Sequence, residues 1–252
     1  MDWITTTAYI FVFLLGSVIG SFLNVCILRI PAGESIVTGP SHCPKCGRRL
    51  KWYELFPIFS FLALRGRCKG CKAKISAQYP LIEAVNGVLW ILAFQRFGPS
   101  PEALGAALLG SALLTLSVID ERTREIPPGI TAFIGVLALA ATALDFANWL
   151  PHLIGFFAVS VPMALIFFIS RGRAIGGGDV KLMAVCGLYL GWAGALGAFF
   201  LGCLLGAVIH LCRMRFGRGE HVLAMGPYLS AGVFLVLLWG EGLWRAYMSL
   251  FI

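Results

Sequence analysis

Two aspartates border long apolar segments of the chain: Asp120 in "LSVIDERTREIPP" and Asp179 in "AIGGGDVK". Ionisable residues are costly in a membrane and usually mark a functional site there. Two carboxylates held close together share one proton, so that one is an acid while the other is a base. Such a pair can activate water for amide hydrolysis without a metal. Asp120 and Asp179 are therefore candidate catalytic residues.

A purely structural interpretation of the same residues stays open. Residues 176–178 are glycines, which allow backbone conformations closed to other residues. They place Asp179 at or near a helix N-terminus, where a carboxylate caps free amides. In this interpretation Asp120 is an interface anion beside Arg122 and Arg124.

Four cysteines form a second group with chemical potential. Cys43 and Cys46 make one C-x2-C pair, and Cys68 and Cys71 make another after 21 intervening residues. Tetrahedral zinc prefers four soft ligands at this spacing, so we predict a structural zinc site. Four free thiols in a mobile loop are the alternative.

The elements that must position these residues are apolar. The 252-residue chain is 59% hydrophobic and 13% charged, against about 25% charged in a soluble domain. The composition predicts an all-α, polytopic membrane protein with a bundle of about eight transmembrane helices, because the runs lack the two-residue alternation of a barrel. The expected segments are 7–28, 79–97, 102–119, 130–149, 153–170, 180–190, 193–211 and 222–247.

Basic residues predict the orientation of these segments. Of the 20 Lys and Arg residues, 18 fall in segments that share one face, and ten lie in the loop 29–78. The positive-inside rule makes this face cytoplasmic and both termini periplasmic. Membrane topology and attraction to anionic lipid then explain the net charge of +8, so no nucleic-acid partner is expected. The N-terminus lacks the basic region of a cleavable signal peptide, and the first segment is predicted to span the membrane.

The segment "IGGGDVKL" resembles the G-x-G-D signature of intramembrane aspartyl proteases, in particular of type IV prepilin peptidases. Further blocks resemble that family in its order along nearly the whole chain. They are "GSVIGSFLNVCILRIP", the two C-x2-C pairs around "LKWYELFPIFSFLALRGRC", "ISAQYPLIEAVNG" and "GPYLSAGVF". The family fold is an eight-helix bundle, in agreement with the number of predicted segments.

The resemblance implies two reactions at the bacterial inner membrane. The first cleaves the basic leader of prepilins or pseudopilins, which serve type IV pili or type II secretion, at the cytoplasmic face. The second N-methylates the new terminal residue with S-adenosylmethionine. The catalytic aspartates of the family fall on Asp120 and Asp179, with Gly176, Gly177, Gly178 and Lys181 as supporting residues.

The resemblance also implies that the two reactions belong to different parts of the chain. Residues 1–97, with the cysteine loop, are the expected methyltransferase region, and residues 98–252 are the expected peptidase region. The recurring small or polar positions of the first region, which we assign to methyl transfer or substrate binding, are Gly20, Ser21, Asn24, Arg29 and Glu83. The chain departs from many members at Pro128, where they carry Asp or Asn, and at Gln78, where they carry Arg.

Two other classes of protein remain as alternatives. A secondary transporter also places carboxylates among helices, although usually near the membrane midplane and in repeated halves. A zinc-bearing membrane scaffold needs no paired acids. Cleavage of a leader peptide separates the enzyme from both.

Overall fold

The computed structural model describes residues 3–215 and 223–249, and the chain divides into two compact units, Met1–Ser111 and Ala112–Ile252. Helices account for nearly all of its regular structure: α1 Trp3–Arg29, α2 Phe59–Ala63, α3 Gln78–Phe97, α4 Pro101–Thr123, α5 Pro128–Leu144, α6 Trp149–Ala158, α7 Ser160–Ser170, α8 Gly177–Arg215 and α9 Gly226–Met248. Within the described residues there are two isolated β-bridges and no strand. The prediction of an all-α membrane protein is confirmed.

In the first unit, α1 and α3 pack closely because small residues face each other. A Cβ atom on Gly16 would lie 2.9 Å from the Trp90 Cβ, and one on Gly20 would lie 2.7 Å from the Glu83 Cα. Such G-x-x-x-G spacing lets two helix backbones approach in a membrane. The buried Asn86 amide reinforces the pair by donating to the Gly16 carbonyl at 2.7 Å.

The loop between α1 and α3 carries the cysteines and has little regular structure. It contains a short 3-10 turn, Trp52–Glu54, and the five-residue α2. The guanidinium of Arg29, at the end of α1, donates to the Ser35 and Thr38 carbonyls at 2.9 Å each. Arg29 therefore fixes the start of the loop against the helix that precedes it.

In the second unit, α8 contacts α5, α6, α7 and α9. The helix is kinked at Gly191, whose φ of 72° and ψ of 173° are not helical. This conformation has a positive φ, which a glycine adopts at little cost. The predicted break between segments 180–190 and 193–211 is confirmed.

The largest differences from the predicted segments lie between residues 144 and 160. The segment expected at 130–149 ends at Leu144, since Asp145 and Asn148 form a side-chain hydrogen bond of 2.9 Å in the following turn. The segment expected at 153–170 is two helices, interrupted at Val159. Pro162 has no N–H to continue the α6 ladder, which accounts for the interruption.

Four stretches among the described residues are long and apolar enough to cross a membrane: Trp3–Arg29, Pro101–Thr123, Phe146–Ser170 and Gly177–Arg215. Each of the eight predicted segments overlaps a helix of the structure. The last segment, expected at 222–247, is helical only from Gly226, since residues 223–225 are not helical. Val222 itself, the basic Arg218 and both chain ends lie outside the described residues.

Candidate active site and cysteine cluster

Asp120 lies near the C-terminal end of α4, where 5% of its surface is exposed. Its Oδ2 atom accepts the backbone N–H of Gly226 at 2.9 Å. This donor begins α9, 106 residues further along the chain. One carboxylate oxygen is thus held by the backbone.

Gly226 is a site residue that the sequence did not assign. A Cβ atom at this position would lie 2.6 Å from the Asp120 Oδ2, so a side chain there would displace the carboxylate. The only sequence signal is its position as the first residue of "GPYLSAGVF", a block that resembles the family but carries no assigned role.

Asp179 is the third residue of α8 and is partly buried. Its carboxylate accepts the backbone N–H of Gly176, the residue before the helix, which is the acidic half of a capping box. The Asp120 carboxylate is close enough to act on it electrostatically. The structure therefore combines both interpretations: Asp179 caps its helix, and it lies near the second acid.

The glycines beside Asp179 permit close contacts. A Cβ atom on Gly178 would lie 2.8 Å from the Ile126 Cβ, and one on Gly176 would lie 2.9 Å from the Asp179 Oδ2. Gly177 begins the helix. Lys181 is exposed, and no hydrogen bond or ion pair is described for it.

Two further acidic residues near Asp120 in the sequence are exposed to solvent. Glu121 forms an exposed ion pair of 3.1 Å with Arg213, and Glu125 is exposed. Exposed pairs contribute little to stability. Glu121 and Glu125 therefore belong to the polar surface near the site and not to its interior.

The four cysteines come together as predicted. Their sulfur atoms all lie within 4.8 Å of one another, and those of Cys43 and Cys71 are 3.9 Å apart. Four ligands around tetrahedral zinc lie about 3.8 Å apart, given Zn–S bonds of about 2.3 Å. The cluster therefore fits zinc.

The two cysteine turns share one hydrogen-bond pattern. Cys43 N–H donates to the Arg48 carbonyl and Cys68 N–H donates to the Ala73 carbonyl, both at 2.9 Å. Backbone amides of Cys71 and Gly70 lower the pKa of the Cys68 thiol to about 6. Amide donors of this kind favour the thiolate, which is the form that binds metal.

A partly buried ion pair supports the first turn. The Arg48 Nη2 atom lies 2.7 Å from the Glu54 Oε1, and the other carboxylate oxygen accepts the Lys51 N–H at 2.9 Å. The Arg48 hydrogen bond, followed by that of Lys51, holds the pKa of Glu54 below its ordinary value. Glu54 is a structural residue that the sequence analysis did not single out.

Four of the five residues assigned to the first region line one cavity, which lies within the first unit and has a volume of about 570 Å³. Ser21, Asn24, Arg29 and Glu83 contribute to its wall. Gly20 lies behind it, in the close contact between α1 and α3. Asn24 joins these helices, since its Nδ2 donates to the Tyr79 carbonyl at 3.2 Å.

Comparisons with known proteins cover both units. Residues 14–97 match the family described as "Bacterial Peptidase A24 N-terminal domain", and residues 107–211 match the "Type IV leader peptidase family". No solved structure matches the chain.

Relatives named "Prepilin leader peptidase/N-methyltransferase" match over most of the chain. The Bacillus subtilis protein is 36% identical over 241 residues, which cover 94% of this chain and 97% of the relative. The Pseudomonas putida protein is 31% identical, over 94% of this chain and 92% of the relative. The Myxococcus xanthus protein is 37% identical over 79% of this chain, which spans only 61% of that relative. The chain belongs to the type IV leader peptidase family.

Proposed function

We propose that this protein cleaves the leader of type IV prepilins or pseudopilins and methylates the new N-terminal amine with S-adenosylmethionine. The observation that supports cleavage most directly is the approach of Asp120 and Asp179 at the ends of two helices. The relatives are named for both activities, and both family matches are present in one chain.

For cleavage, one aspartate of the pair takes a proton from water as the water oxygen attacks the scissile carbonyl carbon. The other aspartate, which holds the shared proton, donates it to the carbonyl oxygen. Collapse of the tetrahedral intermediate breaks the C–N bond, and the leaving amine takes up a proton. The Gly226 and Gly176 amides each hold one carboxylate, so that both remain in place during this transfer.

For methylation, S-adenosylmethionine supplies an electrophilic methyl group. The residues of this chain bind and orient the amine and release its proton. We assign this reaction to the first unit, which contains the cysteine cluster and the cavity. Cys43, Cys46, Cys68 and Cys71 would hold a structural zinc ion that orders the loop.

We place the protein in the inner membrane with its basic loops in the cytoplasm and both termini in the periplasm. The charge bias of the sequence supports this orientation. A reporter fused after Gly70 should be cytoplasmic and one fused after the last residue should be periplasmic. Reporters on the same side would contradict the number of spans.

The decisive experiment incubates the purified protein with a prepilin, with and without S-adenosylmethionine, and measures product masses. We expect loss of the leader in both reactions and a gain of one methyl group only with the donor. An uncleaved substrate would contradict the peptidase, and a cleaved but unmethylated product would contradict only the second activity.

A transporter is less consistent with the geometry. Asp120 is three residues from the end of α4 and Asp179 is the third residue of α8. Carboxylates that couple transport usually lie near the midplane of the membrane. No feature among the described residues favours that alternative.

A further inference from the structure

The cavity of the first unit is lined by aromatic and polar residues that have no role in the proposed cleavage. Its volume of about 570 Å³ lies within the range of pockets that hold small molecules, about 300–1,000 Å³. Phe61 and Tyr79 contribute aromatic surface, while Ser21, Asn24 and Glu83 contribute polar groups. The combination suits an organic ligand with a charged part.

Glu83 is the unusual residue of this wall. Only 7% of its surface is exposed, and the described contacts of its carboxylate are with neutral donors. These are the Ile58 N–H, at 2.7 Å, and the Ser21 hydroxyl. Arg29 also lines the cavity, but its guanidinium donates to carbonyls of residues 35–40. The wall also contains Arg48, which pairs with Glu54, and lysines at positions 45, 69 and 74, but no described contact joins them to Glu83. Buried charges are normally paired, so this carboxylate is available to the cation of a ligand.

The Ile58 donor is held in place by a strained turn. Ile58 has φ 59° and ψ −53°, and the Phe59 N–H donates to the Pro57 carbonyl. This is a classic γ-turn, which is rare and is costly for a β-branched residue. Because strained backbone persists only where its surroundings enforce it, the loop positions the Glu83 carboxylate at some cost in free energy.

The geometry of the carboxylate favours one kind of cation. A carboxylate has about four acceptor positions, and Ile58 and Ser21 occupy two of those on Glu83. An ammonium group offers three N–H donors to the remaining positions, whereas a sulfonium offers none. The open positions therefore match a primary ammonium group better than the charged sulfur of a methyl donor. The processed substrate and the methionine part of S-adenosylmethionine both carry such a group, and the KM values of the two distinguish them.

We propose that this cavity is the methyl-transfer site and that Glu83 binds the α-ammonium group of the processed substrate. This inference rests on the proposed methyltransferase function. The bound ammonium gives one proton to Glu83, and the free amine then attacks the methyl carbon. The new N–C bond forms as the C–S bond breaks, which leaves a neutral thioether and a methylated ammonium. Glu83 returns to the ionised form by releasing its proton to water.

The test uses the purified full-length protein and a peptide that starts at the mature N-terminus. Glu83→Gln keeps the length of the side chain and an acceptor for the Ile58 N–H, but removes the charge. We expect methylation to fall at least about 30-fold, as for loss of one partner of a buried charge pair, with a raised KM for the peptide and an unchanged KM for S-adenosylmethionine. Leader cleavage and zinc content should be retained.

Glu102→Gln is the matched control, because Glu102 is an exposed carboxylate of the first unit that does not line the cavity. It should methylate at the wild-type rate. Methylation by Glu83→Gln within twofold of wild type would overturn the inference. A wild-type protein that cleaves but never methylates would instead refute the proposed methyltransferase function.

A second measurement needs no variant. Ultraviolet cross-linking of radiolabelled S-adenosylmethionine to the wild-type protein, followed by peptide mapping, should label residues 21–29 or 55–83. Labelling confined to residues 112–252 would place the methyl donor elsewhere and overturn the assignment.

Discussion

Each unit buries a carboxylate that accepts a backbone N–H from a distant part of the chain, but the two surroundings differ. Glu83 accepts from Ile58 beside a cavity, and its described partners are neutral. Asp120 accepts from Gly226, and it acts electrostatically on a second acid, Asp179, at the start of another helix. A single buried carboxylate is suited to a cation, whereas two neighbouring ones are suited to sharing a proton and activating water.

The donors differ in a way that fits these roles. Ile58 donates to Glu83 from a strained turn in the loop that carries the cysteine cluster. Gly226 reaches Asp120 from the first residue of a long helix, where a Cβ atom would not fit. We infer that the first site depends on the metal and the loop, while the second depends on helix packing. Variants that affect only one of the two activities test this distinction.

The largest effect is expected from Asp120→Asn and Asp179→Asn. Asn keeps the size and much of the capping ability of Asp but cannot carry the shared proton. Cleavage should fall at least about 1,000-fold in each variant, and the double variant should be no worse, because residues that act as a unit lose their effect together. Mass spectrometry of leader release measures this.

Methylation of a peptide that is already cleaved should survive in these aspartate variants. Glu121→Gln, a neighbouring acid in an exposed ion pair, should cleave normally and serves as the control. Asp179→Glu keeps the charge but moves the carboxyl group by about one methylene, and a geometric pair should tolerate it poorly. Substantial cleavage by either Asn variant would contradict the catalytic pair and leave Asp179 with a role as a helix cap only.

Cys46→Ser should affect the other activity. Loss of one thiolate should reduce bound zinc from about one ion per chain to almost none, because structural sites need all four ligands. Methylation should fall by more than tenfold and cleavage by less, if the loop serves only the first unit. Elemental analysis and both assays report the outcome. Cys212→Ser changes an exposed cysteine outside the cluster and should retain zinc and both activities; equal losses of both activities in Cys46→Ser would contradict the separation.

Gly226→Ala should impair cleavage through geometry alone. The added Cβ would lie 2.6 Å from the Asp120 Oδ2, and a carboxylate moved by about 1 Å can lose about 100-fold in rate. We expect a loss of about 10- to 100-fold in leader release with methylation unchanged. Gly242→Ala lies on the same helix with no atom near its new Cβ and should behave as wild type. Normal cleavage by Gly226→Ala would show that the Gly226 contact does not position Asp120.

The smallest effect concerns the two cysteine turns. Lys72 has φ 59° at the position that Gly47 occupies, with φ 68°, in the first turn. Lys72→Gly should relieve left-handed strain and stabilise the zinc-bound loop by about 0.5–1 kcal/mol. Chelator-induced zinc release should therefore be slower. Lys74→Gly, at a position without positive φ, should speed release, and the same effect from both changes would contradict the strain argument.

The residues that carry the chemistry are predictable from the sequence, whereas the contacts that hold them in place are much less so. The aspartates, the cysteine pairs and the break at Gly191 were visible because charge, spacing and glycine content are local signals. The Gly226 amide was not predictable, since a hydrogen bond across 106 residues leaves no local pattern. The Ile58 turn is equally hidden, because "FPIF" reads as an ordinary apolar loop.

One contact in the second unit has a further consequence. Gly155 of α6 and Gly187 of α8 meet backbone to backbone, and neither position has room for a Cβ atom. Gly187 follows Asp179 by eight residues, about 12 Å along a helix. The contact therefore fixes both the axial position of α8 and its rotation against α6. Insertion of a single residue between positions 179 and 187 would rotate Asp179 by about 100° around the helix axis. Such an insertion would abolish leader cleavage although every catalytic side chain is still present.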